Sequence, residues 1–269
     1  MILRPLPLKP VPDGHGDVVG AVAALVRPEE YPLSSKYDPE WILHLDMGPH
    51  PLWQLEDLLP VLNLQPRMRV LDLGSGRGAT SVFLARQCNV QVTACDLWVS
   101  AADAEEIFEA YGVADVVSAV NADARDLPFA DQEFDAIVSI DAFEYFGTDV
   151  HFLPKLLRVL KPGGRIAVST PGLKTDPYER GIPAGVFDVV GYEAAAWHSP
   201  EWWRRHWDLT ELVDNVSSSW QPGGYENWLL WAEAVREHAH DEEDRVLKML
   251  RQDGGREIGF VLLAARRPH

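Results

Sequence analysis

The stretch Val70-Leu-Asp-Leu-Gly-Ser-Gly-Arg-Gly-Ala-Thr80 constrains this chain more than any other. Val70, Leu71 and Leu73 form a short apolar run, the pattern of a strand buried on both faces. Gly74, Gly76 and Gly78 follow, and Thr80 to Arg86 then has helical spacing, with Val82, Phe83 and Ala85 able to share an inner face. Strand, glycine turn and helix in direct succession make a cradle for a small ligand. Glycine accepts positive φ and lets a ligand approach bare backbone. The helix start adds N–H groups that its own turns leave unpaired.

The loop fits two patterns. Gly74-Ser-Gly-Arg-Gly-Ala79 matches the loose dinucleotide form G-x-G-x-x-[GA]. With Asp72 as its acid, the loop also matches D-x-G-x-G-x-G. The next apolar segment, Val90 to Asp96, ends in a carboxylate 18 residues after Gly78. In either reading that carboxylate can accept both ribose hydroxyls of an adenosine. Three later segments separate the readings. Val116 to Phe129 holds Asp123-Ala124 and then Asp126-Leu-Pro-Phe129. Phe134 to Asp141 is a fourth strand introduced by Phe-Asp, and Leu156 to Val168 carries the turn Lys161-Pro-Gly-Gly164.

In this order over residues 69–170, the five signatures resemble the class I S-adenosylmethionine-dependent methyltransferases of small-molecule type. A nicotinamide-binding fold predicts neither Asp123 nor the Lys161–Gly164 turn. The resemblance implies an α/β fold: a doubly wound, seven-stranded, mostly parallel sheet of the Rossmann-like methyltransferase type. An N-terminal cap and a C-terminal helical insertion would complete it. It implies S-adenosyl-L-methionine as cofactor, held by Asp72, Gly74, Ser75, Gly76, Gly78, Asp96, Leu97, Asp123, Ala124 and Asp141. Asp123 would accept from the adenine amino group, and Leu97 with Trp98 stands where the family packs apolar residues on adenine. The segment ahead of the glycine loop folds over the cofactor in such proteins, which makes Tyr37, Met47 and Gly48 lid candidates. Tyr37 is preferred among them for its stacking ring and donating hydroxyl.

The residues themselves support that architecture. Strand-like segments at 69–73, 90–95, 116–120, 134–140 and 164–169 alternate with helical ones, as in a parallel sheet covered on both faces. Ligands of such sheets sit beyond the carboxyl ends of the strands, which gathers Gly74 to Gly78, Asp96, Asp123 and Asp141 on one rim. Residues 1–50 read as an N-terminal arm and lid, and 51–269 as the catalytic domain, with an insertion or cover at 172–200 and 220–253. Leu209 to Ser219 supplies a sixth strand, and Arg256 to Arg266 the antiparallel last strand that the resemblance implies. The helix over Pro51–Leu59 is expected to pack on the sheet just before the first strand, with Pro60 near its end.

Net charge is −17, with no sizeable run of Lys or Arg, so the expected partner is a small molecule rather than a nucleic acid or an anionic membrane. Cys88 and Cys95 suggest neither a disulfide framework nor zinc spacing, and no metal site is expected. Prolines interrupt the N-terminal apolar residues and no run reaches membrane-spanning length, so a cytoplasmic location is expected. The oligomeric state stays open, with a homodimer as one option.

A sulfonium methyl needs a nucleophile held in line and water kept away, and a base only when the nucleophile carries a proton. Asp141, Glu144 and His198 are the candidates for base or acceptor orienter. Seven of the ten tryptophans fall at Trp197, Trp202, Trp203, Trp207, Trp220, Trp228 and Trp231. Their concentration suggests either helix packing or an aromatic wall over the methyl, and at least two are expected in an acceptor pocket. The function expected is N- or O-methylation of a small molecule. The alternatives are a non-catalytic cofactor binder of the same fold and a cyclopropane-type lipid-modifying enzyme.

Overall fold

The computed structural model describes residues 20–45, 47–239 and 244–269. Of the arm and lid expected over 1–50, residues 1–19 and Asp46 lie outside these, as do His240 and the start of the charged segment at Asp241. In chain order the elements are α1 (Gly20–Ala23), α2 (Pro39–His44), α3 (Pro51–Leu62), β1 (Arg69–Leu73), α4 (Ala79–Cys88), β2 (Gln91–Asp96) and α5 (Ala101–Ala110). Then come β3 (Val117–Asn121), β4 (Phe134–Ile140), α6 (Phe152–Val159), β5 (Leu160–Leu173), α7 (Pro177–Arg180) and α8 (Ala184–Val190). The chain closes with α9 (Pro200–Asp208), β6 (Asp214–Trp220), α10 (Gly224–Ala239), α11 (Arg245–Asp253) and β7 (Ile258–Arg266).

The seven strands form one sheet in the order β3-β2-β1-β4-β5-β7-β6. β1 pairs in parallel with β2 and β4, so the chain reverses its winding direction at β1. β7 runs antiparallel between β5 and β6, with Arg165 opposite Arg266 and Leu173 opposite Ile258. The seven-stranded, mostly parallel sheet expected from the sequence is therefore present.

Helix starts follow their capping chemistry. Asp38 accepts from Glu40 N at 2.9 Å ahead of Pro39, and Ser199 accepts from Trp202 N at 3.3 Å ahead of Pro200. As expected, Pro60 stands near the end of α3, which runs to Leu62 and closes on Asn63 in the left-handed region. Leu52, Leu55, Leu58 and Leu62 are all buried, and that apolar stripe outweighs the one backbone bond Pro60 cannot make.

Three buried clusters hold the layers together. α2 to α5 pack on one face of the sheet through Trp41, Trp53, Phe83 and Phe108. α6 and α9 pack on the other through Phe143, Phe152, Trp203 and Trp207. The third cluster lies at one end, where Leu173, Val186, Ala194 and Trp197 meet Trp228, Leu247 and Phe260. The segment 172–200 thus packs against α10 and α11. α10 bridges two of the clusters, with Trp231 in the first and Trp228 in the third.

Candidate functional site

Where β1, β2, β3 and β4 end, the sheet opens into a cavity of about 320 Å³, a volume in the range of small-molecule and cofactor sites. Its wall combines the glycine loop from Gly74 to Arg77, Asp96 to Trp98, Ala122 to Arg125, and Ile140 to Ala142 with Tyr145 and Phe146. Leu45, Met47, Gly48, Pro49 and Pro51 close it from the N-terminal side.

Gly76 has φ 53°, and a Cβ there would come within 2.9 Å of the Met47 sulfur. Its left-handed φ is what favours glycine here, since the Met47 side chain could give way to a Cβ. Asp96 organises the turn beyond β2. Its Oδ2 accepts from Gly76 N at 2.9 Å, and its Oδ1 from Trp98 N and Val99 N at 2.7 and 2.9 Å. Asp123 is gripped by Arg125, which reaches both carboxylate oxygens at 2.7–3.2 Å and holds the carboxyl below the usual range. Asp141 takes φ 51° at the end of β4, where its N–H donates to Ser169 O at 2.8 Å. Aspartate tolerates this left-handed conformation better than most residues.

Of the expected cofactor residues, Gly74, Ser75, Gly76, Asp96, Leu97, Asp123, Ala124 and Asp141 line the cavity. Asp72, Gly78 and Tyr37 do not. Asp72 lies beneath the loop, 1% exposed, with Thr80 Oγ1 and Ser81 Oγ each donating to its Oδ2 at 2.6 Å. Burial raises its carboxyl to about 6, so it braces the cradle from below. Gly78 starts α4 on its far side, facing the Phe108 ring. Tyr37 is buried against Trp41 and Phe83, and its hydroxyl accepts from Gln87 Nε2 at 3.0 Å. Its ring gains more from two aromatic neighbours in the core than a place over the cavity would give. Met47 and Gly48 do line the cavity.

Of the three catalytic candidates only Asp141 reaches the wall. Glu144 is buried behind it, accepting from Thr170 Oγ1 at 3.0 Å, and burial lifts its carboxyl to about 7. His198 is a correction. It is buried away from the cavity, with Nδ1 3.1 Å from Asp176 Oδ2 and its ring stacked on Trp202 at 3.6 Å.

The tryptophans need a larger correction. The lining ends at Phe146, so neither 172–200, 220–253 nor any of the seven later tryptophans contributes to it. Trp203, Trp207 and Trp231 are almost wholly buried, and Trp197 packs on Trp228 with ring centroids 6.0 Å apart. Trp98 is 67% exposed and meets Tyr145 edge-on at 5.1 Å beside the cavity. The sequence signal for this pair was position, one ring following each of two rim carboxylates. The described residues hold no group of three or more His, Cys, Asp or Glu suited to a metal ion.

Comparison with known proteins now bears on this geometry. A family model described as a methyltransferase domain matches residues 70–164. The demethylmenaquinone methyltransferase of Clavibacter sepedonicus is 34% identical over 178 residues, covering 61% of this chain and 69% of that protein. The chain belongs to the class I S-adenosylmethionine-dependent methyltransferases. A glycine/sarcosine/dimethylglycine N-methyltransferase of Actinopolyspora halophila is 29% identical over 152 residues, but this chain spans only 26% of that protein's length. In fold, the methyltransferase resembles phosphoethanolamine N-methyltransferase 2 of Haemonchus contortus, solved with S-adenosyl-L-methionine, at TM-score 0.70 and 18% identity. That match covers 94% of this chain and 61% of the other.

The cofactor of this methyltransferase is S-adenosyl-L-methionine. The cavity suits it: a cradle a Cβ would fill at Gly76, carboxylates at Asp96 and Asp123, and a half-exposed Leu97 between them. Among the described residues, no helix is long and apolar enough to cross a membrane.

Proposed function

We propose that the protein methylates nitrogen or oxygen of a small-molecule acceptor at the β4 end of the 320 Å³ cavity. The observation that carries this reading is the continuity of one wall. The glycine loop, Asp96 and Asp123 run without a break into Asp141, Tyr145 and Phe146. Bound S-adenosyl-L-methionine supplies a sulfonium methyl already activated for in-line displacement.

In this reading Asp96 accepts the ribose hydroxyls and Asp123 the adenine amino group, which fixes the cofactor along the rim. Asp141 is the carboxylate on the acceptor side, available to orient an amine or a hydroxyl. Glu144, lifted by burial to about 7, stands behind Tyr145 and supports that rim through Thr170. Met47, Gly48 and Pro49 exclude water from above. The charge of −17 favours a small acceptor over a nucleic acid.

The test is incubation with methyl-labelled cofactor and separate pools of small amines, phenols and alcohols. Label in a low-mass product, lost in Asp141→Ala, supports the reading. Cofactor binding with no transfer to any pool or cell extract would leave a binding protein of the same fold.

A further inference from the structure

A buried tryptophan supplies ring area, and its indole N–H adds to that only where an acceptor meets it. Trp53, Trp203 and Trp207 are buried with Nε1 unpartnered, so ring area alone accounts for them. Trp231 differs. It is 1% exposed, and its Nε1 donates to Gly48 O at 2.7 Å. The bond joins α10 to the N-terminal segment that closes the cavity, where Gly48, Pro49 and Pro51 form part of the wall.

The surroundings make this joint firm. His50 meets the Trp231 ring edge-on at 4.7 Å and stacks on Trp53 at 3.9 Å, so two indoles pin the residue two places beyond Gly48. Pro49 and Pro51 fix φ on either side of His50. One turn before Trp231, Asn227 donates to Tyr31 Oη at 2.7 Å, and further along α10 Glu237 accepts from Ala21 N at 2.9 Å. α10 thus bonds the N-terminal segment at three points. On its other side that segment bears on the acceptor carboxylate, since a Cβ on Gly48 would collide with Asp141 Oδ2.

We propose that Trp231 is a positioning residue for methyl transfer: its indole N–H fixes the 48–51 wall over the cavity and, through Gly48, the place of the Asp141 carboxylate. The link to Asp141 rests on the acceptor-side reading above, whereas the hold on the wall does not. α10 contributes nothing to the lining, so the tryptophan-rich region acts on the site at one remove. Without the N–H, Gly48 O faces a phenyl edge where a donor stood, and water becomes its better partner.

The experiment sets Trp231→Phe beside Trp203→Phe, the same change at a buried indole whose N–H has no partner. Three quantities are read for both variants and the wild type. They are amide hydrogen exchange over residues 47–53, the dissociation rate of S-adenosylhomocysteine, and label transfer to whichever pool of amines, phenols or alcohols serves the wild type. Trp231→Phe should speed exchange and release and slow transfer, each by about threefold to tenfold, the worth of one neutral hydrogen bond. Trp203→Phe should leave all three within about twofold, whatever urea unfolding shows of its stability. Wild-type exchange and release in Trp231→Phe overturn the proposal, and so does equal acceleration in Trp203→Phe. Faster exchange with unchanged release and transfer overturns it too, because the wall would then move without consequence for the site. If no pool is labelled by the wild type, the acceptor reading fails, while exchange and release still decide the role of Trp231.

Discussion

The rim of the cavity and the tryptophan-rich C-terminal region use aromatic side chains for opposite purposes. At the rim, Trp98 and Tyr145 meet edge-on with large parts of both rings in solvent. In the C-terminal region, Trp203 and Trp207 lie on one side of α9, four residues apart, and both are wholly buried against the sheet. A large ring buried on all sides is a packing unit, while one held at a cavity mouth has area left for a ligand. The comparison teaches that exposure, and not residue count, decides which rings have area free for a ligand. Two aromatics with open ring area line the cavity, and none of the seven later tryptophans does.

The largest expected effect lies on the rim side. Asp96→Ala removes the carboxylate assigned to two ribose hydroxyls, each bond worth roughly 1.5–3 kcal/mol, so cofactor affinity should fall by more than about a hundredfold. Asp141→Ala, on the acceptor side of the wall, should weaken it far less. Calorimetry with S-adenosylhomocysteine decides, and equal affinities for wild type and Asp96→Ala would break the assignment of the β2 end.

Next comes the packing side. Trp203→Ala should destabilise the protein by about 3–5 kcal/mol, the usual loss for a buried aromatic. The cofactor affinity of its folded fraction should be unchanged. Urea unfolding and calorimetry check the two halves. Intact stability with weakened ligand binding would move Trp203 from packing to recognition.

A third test probes the brace under the loop. Asp72 titrates near 6 when folded against an ordinary 3.8, because burial disfavours its charge. The folded state therefore binds the proton more tightly. The stabilisation is fully present below about pH 4 and is lost as pH rises through about 6, amounting to about 3 kcal/mol. Asp72→Asn keeps an acceptor for Thr80 and Ser81 and removes the titration. The difference in unfolding free energy between variant and wild type should change across pH 4–6 and be flat above it. A difference independent of pH would show that Asp72 carries no such linkage.

The smallest effect sharpens the comparison most. Trp98→Ala should leave stability within about 0.5 kcal/mol, as expected of an exposed ring. Cofactor or acceptor affinity should fall a few-fold, in keeping with the roughly 0.5–1.5 kcal/mol of an aromatic pair. A large loss of stability would place Trp98 with the packing tryptophans.

Much of the fold was legible because strand periodicity, glycine turns and caps are local. Asp38-Pro39 and Ser199-Pro200 mark helix starts by chemistry that acts within three residues. The same locality explains the errors. Tyr37 has the ring and hydroxyl of a lid residue, and only the placement of Trp41, Phe83 and Gln87 shows it enclosed. His198 resembles a base in isolation, yet Asp176 and Trp202 fix it in a wall remote from the cavity.

The sequence by itself determined the sheet, its winding and the cofactor rim, because those depend on short patterns at the ends of consecutive strands. The tertiary structure alone decided which carboxylates face the cavity and which lie behind it. Asp96, Asp123 and Asp141 line the wall, whereas Asp72 and Glu144 are buried with raised pKa values. It also decided that the N-terminal segment, not the tryptophan-rich region, closes the site. The reason is physical. Burial and contact between residues distant in sequence set the charge state and exposure of each group, and no local pattern encodes them.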